Sequence, residues 1–277
     1  MNHPQIATFA RLAGENATAI RKLEGQKTLL GRTMHDLAYD PIHDEIVVSN
    51  PFMQAVLIFR GGADGEEPPL RVIQGLRTRI VQDRALDKLA IDPVHGEIFV
   101  ATSAGNILVF PREANGDVAP IRVLGGPDSG LGNRPSMRVD PVRNLLFVSG
   151  QGGLMVFDRT ASGNARPRVI LGPRSGHQFE VYPPTGQIIT HRSGAIEGWS
   201  IDEGLRFADR GEEGLRPLWR VNMQGLMAPN RTAGAGLAIN PSHSEVMASI
   251  GASNTIWTFS IPEAFEPDSN QTARAGR

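Results

Sequence analysis

Residues 89–126 read LAIDPVHGEIFVATSAGNILVFPREANGDVAPIRVLGG, and the chain repeats them. A copy at residues 37–75 reads LAYDPIHDEIVVSNPFMQAVLIFRGGADGEEPPLRVIQG, and another at 137–172 reads MRVDPVRNLLFVSGQGGLMVFDRTASGNARPRVILG. Two weaker copies centre on Val181-Tyr182-Pro183 and Ile239-Asn240-Pro241. A recurrence of about 40–50 residues, built from strand and turn signals, marks a β-propeller or another repeat array.

Each copy divides into four strands, a to d. Strand a is short and apolar and ends at an anchor dipeptide: Asp40-Pro41, Asp92-Pro93, Asp140-Pro141, Tyr182-Pro183 or Asn240-Pro241. Asp or Asn before Pro suits a type I turn, because Pro presets φ and the Asx side chain caps the loop. Strand b follows, then a loop of small residues and an apolar strand c such as Ile107-Leu108-Val109-Phe110. Strand d carries the arginines Arg71, Arg122, Arg168 and Arg220. Near-continuous apolar runs suit strands covered on both faces by neighbouring sheets. The expected fold is therefore all-β: a β-propeller of four-stranded blades at about 34–75, 86–125, 134–173, 176–225 and 234–262.

The last copy stops after strand c, while residues 19–25, AIRKLEG, match strand d. The N-terminus, residues 17–25, is thus expected to supply the outer strand of the final blade and close a ring of five. Residues 6–11 look like a second copy of strand c, which leaves six blades as the alternative. Residues 202–217 form a long insertion between strands c and d. One domain is expected over 1–265, with a polar tail at 266–277.

Composition narrows the function. The net charge of −1 argues against a protein devoted to phosphate backbones. With no cysteine, disulfides, thiol catalysis and Cys-ligated zinc are excluded. No stretch approaches the roughly 20 apolar residues that span a bilayer. The first residues, MNHPQIATFARLAGEN, lack the basic segment and apolar core of a signal peptide, so a cytoplasmic protein is expected unless the chain is a processed mature form.

The repeats resemble the NHL class of β-propellers. The resemblance rests on Leu89-Ala90-Ile91-Asp92, on Gly96-Glu97-Ile98-Phe99-Val100-Ala101 and on Ile107-Leu108-Val109-Phe110. The stretch from Arg112 to Ile121 is similar to tandem repeats of uncharacterised bacterial propeller proteins. The resemblance covers nearly the whole chain, and departs from the pattern at Tyr182 and in the insertion after Ile201. It implies a fold that hosts protein- and RNA-binding platforms, sugar-lactone hydrolases and a zinc-dependent amidating lyase, so function has to be argued from the site.

Three groups of residues carry the functional expectations. His35 and His177 lie five positions before their anchors, where Asp87 stands in the second copy. Repeat-equivalent residues at the entry to strand a converge on the central channel, and two imidazoles with a carboxylate could hold a divalent cation such as zinc or calcium. Asp36, Lys88, Arg138 and Glu180 would add a ring of mixed charge lining that channel. Trp199, Phe207 and Trp219 flank the acidic insertion and are the candidates for binding a protein partner. His43, His95 and His243 recur in the a-to-b turn and read as turn caps. No Gly-x-Ser-x-Gly elbow and no phosphate-cradling loop before a helix is present. Two functions follow as expectations. The first is a non-catalytic scaffold for a protein partner, with no cofactor and no nucleic acid. The second is a metal-dependent lyase or lactone hydrolase at the channel mouth.

Overall fold

At the three Asp-Pro anchors the carboxylate makes the turn. Asp40 Oδ1 accepts the backbone N–H of Ile42 and of His43, at 2.9 and 3.0 Å. Asp92 does the same for Val94 and His95 (3.1 Å each), and Asp140 for Val142 and Arg143 (2.9 and 3.0 Å). The turn then reverses the chain into strand b, and alternation along the paired strands separates the two faces of each sheet. The computed structural model describes residues 4–32, 36–80, 88–132, 135–150, 153–171, 178–192, 194–211, 214–223, 235–250 and 255–266.

The fold is an all-β, five-bladed propeller with an N-terminal strand pair. Its residues group into two compact units, Met1–Arg134 with Ser162–Ala165, and Pro135–Ala161 with Arg166–Arg277. The first holds β1 (Gln5–Thr8) paired with β2 (Arg21–Glu24). It also holds two antiparallel sheets: β3 (Leu37–Asp40), β4 (Glu45–Asn50), β5 (Ala55–Arg60), β6 (Arg71–Gln74); and β7 (Leu89–Asp92), β8 (Glu97–Ala101), β9 (Ile107–Pro111), β10 (Arg122–Leu124). The second holds β11 (Met137–Asp140), β12 (Leu145–Gly150), β13 (Gly153–Asp158), β14 (Val169–Leu171) as its first sheet. Its next sheet is β15 (Phe179–Tyr182), β16 (Gln187–Arg192), β17 (Ala195–Ser200), β18 (Trp219–Asn222), and its last is β19 (Ala235–Asn240), β20 (Glu245–Ile250), β21 (Thr255–Ser260).

Within each unit, one side of a sheet packs on the next sheet along the chain; we call it the leading side, and the other the trailing side. Val47, Val56, Ile58 and Ile73 lead from the β3–β6 sheet onto Ile98, Val100, Leu108 and Phe110. Phe147, Leu154 and Val156 lead onto Phe179, Val181 and Ile188, and Ile189 and Ile196 lead onto Leu237, Val246 and Ala248.

Residues 21–24 form the strand expected of them, but its hydrogen-bonded partner is β1 and not the strand c of the last blade. The β1 segment carries the strand-c pattern and lies close in sequence, so this pairing closes a short loop at a smaller entropic cost. The pair is built like the outer half of a further blade. Leu23 bridges Gly65 in the same parallel fashion as Ile73 bridges Gly116 and Leu124 bridges Gly163.

Those bridges explain the Gly in each c-to-d loop. Gly116 N–H donates to Val72 O (2.6 Å) while Gln74 N–H donates back to Gly116 O (3.1 Å), clipping the loop onto the preceding strand d. The insertion after Ile201 departs from this plan by forming α1 (Ile201–Arg210), capped by the Ser200 hydroxyl accepting Glu203 N–H at 3.1 Å. Ile201, Leu205 and Ala208 pack with Leu171, so the helix covers the strand d that a clip would otherwise hold.

Candidate interaction surface

The three proposed metal ligands, His35, Asp87 and His177, lie outside the described residues. Among the described residues no group of three His, Asp or Glu side chains is placed to hold a metal ion.

The four charged residues expected in one ring occupy two levels. Asp36 and Lys88 precede their strands, four positions before the anchor; Arg138 and Glu180 sit two before it, opposite Phe147 and Ile189. They also pair off. Lys88 Nζ is 3.9 Å from Asp36 Oδ2, and Arg138 grips Glu180 with two bonds of 2.7 and 2.6 Å. A bidentate guanidinium–carboxylate pair satisfies both partners at once.

The tryptophans belong to opposite faces of one sheet. Trp199 packs on its trailing side and donates its indole N–H to Thr190 Oγ1 at 3.2 Å. Trp219 packs on the leading side, donates to Gln187 Oε1 at 2.7 Å, and lies over Gly198, where any Cβ would collide with its ring. Phe207 sits half-buried on α1. The structure therefore does not bring these three to one surface. Beside them, Arg143 binds Asp202 through two bonds of 2.8 and 3.0 Å. That guanidinium holds the Asp202 carboxyl below the usual carboxylate range, and Asp202 raises Arg143 in return.

The turn histidines sit against their anchors. His43 Nδ1 is 2.8 Å from Asp40 Oδ2 and His95 Nδ1 is 2.7 Å from Asp92 Oδ2. Arg143 takes the same place in the third copy, 3.1 Å from Asp140 Oδ2.

The strand-d arginines do not share a register position. Arg71 and Arg122 lie opposite Ile58 and Val109, on the leading side, and reach the buried Glu45 and Glu97 (2.7 Å each). The backbone N–H preceding each, on Leu70 and Ile121, donates to Ile58 O and Val109 O. In the next two sheets the equivalent N–H belongs to Arg168 and to Leu218. Arg168 is thus one position early and Arg220 one late, and each turns to a different carboxylate, Asp158 at 3.0 Å and Glu197 at 2.8 Å.

The last sheet is where the repeat is left uncovered. Its strand c, β21, pairs with β20, and among the described residues no strand pairs with its other edge. After Ser260 the described residues 261–266 turn to the preceding sheet and not back along β21. Glu263 O and Ala264 O accept from Gln187 Nε2 (2.8 Å) and Thr185 Oγ1 (3.1 Å), and Phe265 meets Tyr182 edge-on at 5.1 Å. The consequence is visible position by position. Ile256 is 71% exposed, whereas its equivalents Val56, Ile107, Leu154 and Ile196 are at most 3% exposed. Trp257 is 40% exposed where Leu57, Leu108 and Met155 are buried. Ala238, Ser249 and Thr258, which share the leading side with Ile256, are exposed too.

No family model matches the chain, and no curated protein matches it. Among solved structures it is similar to the Cps50 (Swd1) β-propeller domain of Myceliophteria thermophila, at 10% identity and a TM-score of 0.56 over 86% of this chain and 68% of that one. It is also similar to a chain of a mitotic checkpoint complex, at 13% identity and a TM-score of 0.51 over 86% of this chain and 64% of that one. Both are WD40-type propellers, and at these identities the likeness establishes the propeller fold and no family. The NHL resemblance is accordingly borne out for the propeller repeat and not for the NHL class or a bacterial origin.

Proposed function

We propose that this chain is a non-catalytic platform for a protein partner, with the open edge and leading side of the last sheet as its docking surface. The observation that carries the reading is Ile256, 71% exposed at a register position that four other sheets bury. Ile256 on the leading side and Trp257 on the trailing side flank an unpaired strand edge, and an exposed edge with apolar side chains beside it is the kind of surface a partner chain covers. The likeness to WD40-type propellers, one of them part of a multi-protein complex, is in keeping with it. A nucleic-acid role draws less support, because Arg71, Arg122 and Arg220 are each held by a carboxylate.

A photo-crosslinking residue placed at position 257 tests the reading in cells that express the chain. The expected result is a discrete partner polypeptide joined at that position, lost when Ile256→Asp is added. A partner that crosslinks only from elsewhere, such as position 42 in an a-to-b turn, would overturn it.

A further inference from the structure

We propose that the occupant of the β21 edge is an extended strand of another protein, of the type aliphatic–Arg–Val–Leu, which adds to the last sheet as its missing strand d. The inference rests on the platform reading and names the partner's form.

The same chain fills the equivalent socket four times and so records what fits it. At the Ile256 position the facing residue is Ile73, Leu124, Leu171 or Val221. At the Trp257 position it is Val72, Val123, Ile170 or Arg220, and at the Thr258 position Arg71 and Arg122 in the two sheets closest in pattern. The backbone contact is constant: the residue before that position donates its N–H to the carbonyl of Ile58, Val109, Val156 or Gly198, at 2.7 or 2.8 Å. Thr258 O is the corresponding acceptor here.

Charge points the same way. Strand b of the last sheet begins with Glu245, at the register position of Glu45 and Glu97, the two buried carboxylates that receive a strand-d arginine. Glu245 already accepts from Asn240 Nδ2 at 3.0 Å, and an Arg opposite Thr258 would take the register position that Arg71 and Arg122 hold in their own sheets. The donor is another protein, because the strands of this type described in the chain are engaged: β6, β10, β14 and β18 in their sheets, β2 with β1. Strand addition of this kind takes its affinity from main-chain bonds and its specificity from alternate side chains.

The test titrates the full-length protein with a synthetic peptide of residues 119–126, APIRVLGG, following tryptophan fluorescence and calorimetry. Saturable one-to-one binding is expected. N-methylation of the peptide at Ile121, or Arg122→Glu within it, should weaken binding by about tenfold or more. Ile256→Asp in the protein should do the same while leaving its thermal unfolding unchanged. Absence of binding, or equal binding of a scrambled peptide, overturns the strand proposal. So does a concentration-dependent dimer of the chain that Ile256→Asp dissolves, because the edge would then belong to a second copy. If the peptide fails while position 257 still crosslinks a partner, the platform stands and only the strand is lost. If the peptide binds and no partner crosslinks, the platform reading fails instead.

Discussion

Val56 in β5 and Ile256 in β21 occupy the same position in two sheets of the same pattern, and their fates are opposite: the first is fully buried, the second 71% exposed. Nothing local separates them. Each is the β-branched second residue of a six-residue strand c, three positions before a phenylalanine (Phe59 or Phe259). The difference is made by neighbours. β5 has β6 beside it and the β7–β10 sheet over its leading side, whereas β21 has β20 alone and solvent over its leading side among the described residues. Burial in a repeat array is a nearest-neighbour property, so the terminal unit shows what each inner one would expose.

The trailing side of the first full sheet teaches the same lesson in reverse. Leu37 and Tyr39 are 51% and 52% exposed, while Leu89, Met137 and Phe179, equivalent to Leu37, are buried. The β1–β2 pair covers only the outer half of that side, through Ile6 and Leu23 packed on Leu57 and Phe59.

The largest effect that could break the comparison is a charge at the shared position. Val56→Asp should unfold the first unit or cost more than about 4 kcal/mol, since an unpaired carboxylate is taken out of water. Ile256→Asp should stay within about 0.5 kcal/mol of the parent. Urea unfolding of both variants measures the contrast, and equal losses would show that β21 is covered in solution.

A smaller contrast separates buried from exposed ion pairs on strand d. Glu97→Ala strands Arg122, whose side chain is only 20% exposed, and should cost about 3 kcal/mol. Asp158→Ala breaks a pair exposed by 56% and 58% and should cost less than about 0.5 kcal/mol. The same unfolding curves report both.

The anchors give the next step down. Asp92→Ala removes a buried acceptor of two backbone N–H bonds and should cost about 2 kcal/mol. Asn240, in the last sheet, accepts from the Ser242 hydroxyl and donates to Glu245 Oε2, and its change to Ala should cost about 1 kcal/mol or less.

The smallest effect is a pH dependence at α1. Asp202 is held below its ordinary range by Arg143, so the folded state binds its proton less readily than the unfolded chain does. Its contribution is present above the unfolded value of about 3.9 and is lost as pH falls through the folded value. Because Asp202 is 49% exposed, solvent screening limits the effect to less than about 1 kcal/mol. Asp202→Asn should therefore lower stability slightly at neutral pH, by an amount that shrinks as pH falls below the ordinary aspartate range, in unfolding curves taken from neutral to acid pH.

The blades were legible because their signals are local: Asp-Pro turns, apolar runs and a Gly in each c-to-d loop all act within a few residues. The helix α1, expected only as an insertion, has local signals too. Ser200 and Glu203 stand three apart, Ile201, Leu205 and Ala208 share one face, and Gly211 follows with φ 65°. The arginine register was not legible, because Arg168 and Arg220 are displaced by single residues that only the hydrogen bonds reveal. Nor was the partner of the N-terminal strand, since two strand-c segments competed for it and the pattern scores them alike. The expected cation site at His35, Asp87 and His177 depends on residues far apart in sequence, and no spacing rule fixes their separation.

Hydrogen–deuterium exchange of the full-length chain, read at the amides of β5 and β21, tests the central claim most directly. An open edge and an uncovered leading side predict that residues 256–259 exchange orders of magnitude faster than residues 56–59, and that a bound partner slows them selectively. Equal protection of the two strands in the isolated protein would contradict the claim.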